Sequence, residues 1–355
     1  MKPVKRPLKW LLTLIAAEMA LVALITVLFD PFYQYHATLP GTETVLYDRD
    51  NQVPGTIRTF EYDSVLLGSS VAENFDSDYL DTMYNGKFIK IIRASSSIAD
   101  LRYYMDHAHE EQEIANVFWC LDLFAFTFST EVTLYAGNIP RYLHTDTIFD
   151  DFTYLFNKEI LFEKIPFSLA CSYLGRNTGG EAYNWAADKT FGAESAMRSY
   201  NKPAGIFSDS GVVSPKNKEL IDTNLAMALD EITSHPETQY TIVLPPYSLL
   251  WWDSGYVNEL SSAYLYAMEQ VLTTFVPLEN VTVHFFMNER NIICDLNYYM
   301  DMLHYSPEIN QYMLECVSKG SHLVTEENLN EVISDMNETV DYIVTEKIYD
   351  YYPKQ

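Results

Sequence analysis

Five short apolar runs, Ser64–Leu67, Phe88–Ile92, Asn116–Leu121, Tyr240–Leu244 and Val281–Phe286, punctuate this chain. Each is the length of a buried strand and shorter than an ordinary helix. Helical patterns lie between them, near Val71–Met83, Ala99–Glu113, Lys216–Ser234 and Tyr256–Phe275. Strand–helix alternation of this kind predicts an α/β fold: a three-layer sandwich with a mostly parallel central sheet and helices on both faces. In such sheets the site lies beyond the carboxyl ends of the strands. The alternation is interrupted at about 123–213 by aromatic helical patterns (Phe149–Leu174), then Asn177-Thr178-Gly179-Gly180 and a polar segment to Asp209. A structureless loop of that length is uncommon, so the interruption is predicted to be a helical cap insertion beside the site. The tail from Thr325 to Ile348 reads as one or two amphipathic helices.

Ahead of the sheet, Trp10 to Phe29 matches the length needed to cross a bilayer as a helix and carries one charge, Glu18. A cleaved signal peptide normally has a shorter apolar region ending in small residues, whereas this one ends Val27-Leu28-Phe29-Asp30-Pro31-Phe32. Lys2, Lys5, Arg6 and Lys9 precede it, which predicts the N-terminus inside and the remainder outside. The organisation is thus a transmembrane signal anchor over 1–30, an irregular extracytoplasmic stalk over 31–62 with a turn at Pro54-Gly55, and an α/β domain over 63–355. Glu18 in mid-membrane costs roughly 2–4 kcal/mol if it faces lipid. It is either tolerated there or meets a polar group of a multispanning partner.

Of 23 basic and 49 acidic residues, the four basic ones just named precede the anchor, which leaves 19 against 49, or −30, for everything after Lys9. Such a surface repels phosphate backbones and argues against nucleic-acid binding. The four cysteines form no CxxC pair and show no metal-ligand spacing. Cys120 lies in a strand-like run and reads as a buried thiol; a Cys294–Cys316 disulfide is left open by spacing alone. His107-x-His109 with Glu110 and Glu111 reads as a solvated helix surface, because residues two apart do not share a helix face. No metal and no cofactor are implied.

Two segments carry chemistry. Val65-Leu66-Leu67 stops at Gly68-Ser69-Ser70, so a strand delivers a serine to a turn where a helix begins with Val71. Far downstream, Asp301-Met302-Leu303-His304 sets a carboxylate and an imidazole three apart, which on a helix is one face. Serine, histidine and aspartate are the parts of nucleophilic acyl transfer. In this order, the serine after the first strand and the pair after the last, the chain resembles the SGNH (GDSL-type) esterase and acyltransferase superfamily, over roughly Asp63 to Lys319. Gly68-Ser69-Ser70 matches its Gly-x-Ser turn, with Ser69 where aspartate is commoner, and Asp301-x-x-His304 matches its Asp-x-x-His motif.

The resemblance implies Ser70 as nucleophile, His304 as base and Asp301 as its orienting carboxylate. Backbone N–H groups at the start of the Val71 helix would face the oxyanion. The family adds a glycine from the second strand's loop and an asparagine from the third's. Here the second loop is Ala94-Ser95-Ser96-Ser97, which offers a backbone donor near Ser96. The third has Leu121-Asp122-Leu123, so Asp122 must point elsewhere or be protonated, and Asn74, a turn beyond Ser70, is a replacement amide donor or a helix-surface residue. Pro245-Pro246-Tyr247 with Trp251-Trp252 supplies a platform for a sugar or lipid-linked acceptor, or packs in the core or at the membrane interface. Within the superfamily the arrangement resembles membrane-anchored proteins that acylate cell-envelope polymers, of the D-alanyl transfer protein and polysaccharide O-acetylation kinds. That implies a surface glycopolymer as substrate and a multispanning membrane-bound O-acyltransferase as partner. A catalytically silent SGNH-like scaffold or polymer-binding subunit, and a plain esterase, are the alternatives. Intact Ser70, Asp301 and His304 argue against silence; the sequence does not separate transfer from hydrolysis.

Overall fold

The computed structural model describes residues 5–134, 139–145, 147–203 and 209–353. The chain forms two compact units, Met1–Phe60 with Asn138–Ala182, and Glu61–Gly137 with Tyr183–Gln355. The first holds helices α1 (Lys5–Phe29) and α2 (Arg49–Thr59). The second contributes α3 (Ser77–Tyr84) and α4 (Ile98–Glu111) before the chain returns to the first for α5 (Ile148–Leu155) and α6 (Ile165–Leu174). A π-turn, Ile160–Lys164, leads directly into α6.

Within α1, Pro7–Phe29 is long and apolar enough to cross a membrane. Lys2 of the basic cluster lies outside the described residues. The last turns of α1 pack on α5, where Thr26 Oγ1 donates to the Leu155 carbonyl at 2.9 Å. Phe32, Leu143, Tyr154, Ile160 and Ile165 form the buried cluster of this unit, with Ile25 packed against it. Beside it the Asp30 carboxylate accepts from Tyr154 OH at 2.7 Å and from the amides of Gln34, Tyr35 and His36.

The segment read as an irregular stalk contains a regular helix, and Pro54-Gly55 sits inside it rather than in a turn. Two contacts account for this. The Gln52 amide, fully buried, donates to the carbonyls of Pro31 and Val45 at 2.9 Å each, which ties α2 to the preceding chain. A Cβ on Gly55 would collide with the backbone carbonyls of Phe32 and Tyr33, so the glycine permits close approach of two backbones.

The second unit is built on a six-stranded sheet in the order β2-β1-β3-β4-β5-β6. Its strands are β1 (Ser64–Gly68), β2 (Phe88–Ile92), β3 (Asn116–Cys120), β4 (Gln239–Leu244), β5 (Val281–Phe285) and β6 (Leu323–Val324). The first five are parallel; β6, unmarked by any long apolar run in the sequence, pairs antiparallel with β5. The remaining helices are α7 (Ala193–Arg198), α8 (Pro215–Ser234), α9 (Leu249–Val257), α10 (Ser261–Phe275), α11 (Arg290–Ile293), α12 (Pro307–Ser318) and α13 (Leu329–Thr345).

Right-handed crossovers set the layers. The β1-to-β2 connection runs one way along the sheet through α3; those through α4, α8 and α10 run the other way. Hence α3 covers one face, joined by α12, while α4, α8, α10 and α13 pack in sequence on the other. The direction reverses between β1 and β3, and such a switch point opens a crevice at the carboxyl edge. Register aligns the strand ends there: Gly68 lies opposite both Ile92 and Cys120, and Cys120 opposite Val243. The loops after β1, β2, β3 and β4 therefore emerge together. All four cysteines are free thiols, so Cys294 and Cys316 are not bridged.

Phe118 in β3 and Phe75 beyond the Ser70 turn are both fully buried and meet edge to face at 5.3 Å. Phe118→Ala removes that contact and leaves a cavity under the turn. Chemical denaturation is expected to show a loss of about 3–5 kcal/mol.

Candidate active site

Strand β1 ends at Gly68, where the chain must turn sharply against β3. A Cβ there would stand 2.7 Å from the Ala72 Cβ and 2.9 Å from the Cys120 carbonyl, so only glycine fits. Ser69 is extended, and a single 3₁₀ turn, Ser70–Ala72, follows. The helix expected from Val71 begins instead at Ser77, where the Asp76 carboxylate caps the amides of Asp78 and Tyr79. One 3₁₀ turn has little dipole. What it provides is oriented backbone: among the described residues no protein acceptor meets the N–H of Ser70 or Val71.

The Ser70 hydroxyl lies 2.8 Å from His304 Nε2, and His304 Nδ1 lies 2.7 Å from Asp301 Oδ2. An ionised carboxylate only accepts, so Nδ1 carries the proton and Nε2 is free to accept from Ser70. Asp301 and His304 do not share a helix face. They sit in a loop closed by a bridge between Tyr299 and Tyr305, in which Met300 N donates to the His304 carbonyl at 3.0 Å. Asp301 Oδ1 accepts from the amides of Leu303 and His304 at 2.8 and 2.7 Å, a side-chain turn that competes with helix. Pro307 then starts α12 and biases Ser306 to extended backbone. Burial raises the Asp301 carboxyl, but the bonds from the His304 ring and amide and the Leu303 amide outweigh it and hold Asp301 below the usual carboxylate range.

Side chains from distant segments fix both loops. Trp185 Nε1 donates to the Ser70 carbonyl at 2.8 Å, and its ring meets the His304 imidazole edge to face at 5.2 Å. The Val71 carbonyl accepts from Tyr305 OH at 3.3 Å and from Asn310 Nδ2 at 3.2 Å. Lys90, buried in β2 and lowered by that burial to about 8, donates to the Glu73 carbonyl at 2.8 Å. The Asp301 loop is held by Ser195 Oγ on the Met300 carbonyl, Ser199 Oγ under Met302 N, and Ser248 Oγ on the Met302 carbonyl. Trp185, Ser195 and Ser199 belong to the stretch read from sequence as a cap, and no periodicity marked them. A tryptophan in a polar, glycine-bearing segment was the one available signal.

Asn74 is buried, and neither its Oδ1 nor its Nδ2 has a protein partner among the described residues. An amide left so costs about 1–3 kcal/mol. Ser96 lies in the loop after β2, but its backbone N–H donates to the Arg93 carbonyl at 3.2 Å and is not the free donor expected; its buried hydroxyl has no protein partner. Asp122 is buried and accepts a short hydrogen bond from the Tyr247 hydroxyl. Burial pushes its carboxyl up to about 6, against the pull of the Ser69 and Tyr247 hydroxyls and the His304 ring. Tyr247, Trp251 and Trp252 are buried, with Trp251 stacked on Tyr264 at 4.3 Å, so they pack the core and offer no platform.

At the opposite end of the strands, His109 bonds Glu231 at 3.1 Å and stacks on His235, with ring centroids 3.5 Å apart and planes 3° off parallel. His107 turns away to the Tyr103 carbonyl. Parallel rings cannot both aim at one ion in their planes, and the Arg102 guanidinium occupies the second Glu231 oxygen at 3.1 Å. The cluster is an ion-pair network.

No known family profile and no curated protein matches this sequence. Among solved structures, the chain is remotely similar to one from Streptococcus pneumonia given the provisional name platelet activating factor, at 10% identity and a TM-score of 0.36, over 77% of this chain and 90% of that chain. So distant a likeness leaves the chemistry to be read from the residues themselves.

Asp122 makes stability depend on pH in a defined direction. Its folded pKa lies above the ordinary carboxyl value of 3.8. The stability it contributes is therefore fully present below about pH 4 and is lost as pH rises through about 6. Asp122→Asn keeps an acceptor for Tyr247 and removes the buried charge. Thermal unfolding should show a gain of about 2–3 kcal/mol above pH 7 that vanishes near pH 4.

Proposed function

We propose that this chain is a membrane-anchored serine acyltransferase or esterase of SGNH type, acting on O-acyl groups of a cell-surface glycopolymer from the extracytoplasmic side. The observation that carries this reading is the unbroken hydrogen-bonded relay from Ser70 Oγ through His304 to Asp301. In the reaction, Ser70 Oγ attacks the acyl carbonyl while its proton passes to His304 Nε2. Asp301 stabilises the imidazolium and keeps Nδ1 protonated throughout. The carbonyl oxygen becomes an oxyanion facing the Ser70 and Val71 amides, with the unpartnered Asn74 amide as a further donor. Collapse breaks the bond to the leaving group, which takes the proton from His304 Nε2 and leaves an acyl-Ser70 ester. Water or a polymer hydroxyl then attacks that ester by the same steps in reverse.

Asp122, where the superfamily carries asparagine, is compatible with this chemistry because its carboxylate is engaged by Tyr247. The length of α1, the basic residues ahead of it and the acidic remainder support an anchored domain facing outward. A tethered site has a raised effective concentration toward a membrane-embedded acyl donor, such as a multispanning O-acyltransferase. Protease added to intact cells should then digest the domain and spare the anchor.

Small acyl esters offer the direct kinetic test. Ser70→Ala and His304→Ala should each lower kcat by about 10³–10⁶, with the double variant no worse, because the two act as a unit. Asp301→Asn should leave more activity than either. Turnover unchanged in Ser70→Ala would contradict the mechanism, and no turnover in the wild type would favour a catalytically silent scaffold.

A further inference from the structure

In the first unit, helix follows helix around the end of α1, and one face of the second pair is left bare. From the π-turn into α6, Phe162, Pro166, Leu169, Ala170 and Tyr173 recur three and four apart. That spacing lines one side of a helix. All five are exposed, Phe162 at 78% and Tyr173 at 90%, and none is charged. The opposite side carries Ile160, Ile165 and Cys171, which are buried. Nearby on α5, Phe149 is 81% exposed and Phe152 is exposed as well. A water-facing helix inverts this pattern, and large apolar side chains exposed together on one helix face mark an interaction site.

The depth of the patch identifies its occupant. Trp10–Phe29 is twenty residues, about 30 Å of helix, which equals the hydrocarbon thickness of a bilayer. Phe29 therefore falls at the outer boundary, with Ile25 and Thr26 roughly 5–6 Å inside it. Those two residues are where α5 and α6 attach: Thr26 bonds the Leu155 carbonyl, and Ile25 packs on the cluster of Tyr154, Ile160 and Ile165. Phe29 and Leu169 line the same small cleft, so the bare face of α6 continues the apolar surface of α1. An apolar helix face beside a spanning helix, at the depth of the headgroup–acyl boundary, is where interfacial helices lie.

We propose that Ile148–Leu174 forms a foot seated in the outer interface of the bilayer, with Phe149, Phe162, Leu169 and Tyr173 immersed in lipid beside α1. This rests on the reading of α1 as a bilayer span. It assigns lipid contact to residues that the sequence suggested as cover for the acyl-transfer site. A foot of this kind makes the attachment a broad one and restricts tilting of the unit about a single helix.

The full-length chain, reconstituted into phosphatidylcholine vesicles, tests this with an environment-sensitive fluorophore on Phe162→Cys, Tyr173→Cys or, as a control, Glu219→Cys at an exposed position of α8. The chain without an added cysteine sets the background. Alkaline extraction of the same vesicles reports independently on α1. On reconstitution, emission at 162 and 173 should shift to the blue. Quenching there by lipids spin-labelled near the headgroup should be several-fold stronger than at 219, and quenching by aqueous iodide several-fold weaker. If 162 and 173 stay open to iodide while the chain resists extraction, α1 spans but the foot does not exist. Sites shielded from iodide yet untouched by lipid quencher would show the face covered by a second copy, which also overturns the proposal. Release of the chain by alkali removes the spanning reading and the foot with it.

Discussion

Three backbone carbonyls, those of Ser70, Val71 and Glu73, are each taken by a side chain from elsewhere in the sheet unit: Trp185, Tyr305 with Asn310, and Lys90. The rest of the site depends on this. A turn of three residues holds its own shape poorly, because half of its backbone hydrogen-bonding groups lack local partners. With its carbonyls bound from outside, its amides are turned the other way, and the Ser70 hydroxyl is held in line with His304. Each such bond contributes roughly 0.5–1.5 kcal/mol. Their larger effect is geometric, since reacting groups misplaced by an ångström lose much of their rate. Trp185 serves twice, fixing the serine through its indole N–H and the histidine through its ring edge.

The electrostatics around this turn are unusual for a protein with a formal charge of −26. Asp301 is held ionised by the hydrogen bonds it accepts, while Asp122 is pushed up by burial. Two carboxyl groups near one serine turn are thereby driven in opposite directions. Opposed shifts within one cleft are the pattern expected where protons move. Buried Lys90 supplies a positive counterpart beneath the serine turn.

The sheet was legible from sequence because its signal is local. Short apolar runs such as Phe88–Ile92 coincide with β2 residue for residue, and Gly68-Ser69-Ser70 marked the turn that follows β1. Local signals failed where tertiary contacts decided the outcome. Asp301-x-x-His304 has helical spacing, yet the Asp301 side chain bonds the amides a helix would have used, and Pro307 restarts the chain two residues past Tyr305. Pro54-Gly55 looks like a turn and lies within a helix, because Gly55 must touch the carbonyls of Phe32 and Tyr33. For Tyr247, Trp251 and Trp252 the sequence left platform and core packing open, since nothing in their spacing distinguishes a wet face from a dry one; they are core. Trp185 went unread because its partners lie more than a hundred residues away.

The account stands on Ser70 being an activated nucleophile. A fluorophosphonate probe reports that property without knowledge of the acyl group or the polymer, because it reacts with serines whose proton has somewhere to go. Incubated with the full-length protein, it should add a single phosphonyl mass that peptide mapping places on Ser70. His304→Ala should label far more slowly, and Ser70→Ala not at all. Failure of the wild-type protein to label, or labelling at another serine, would contradict the account.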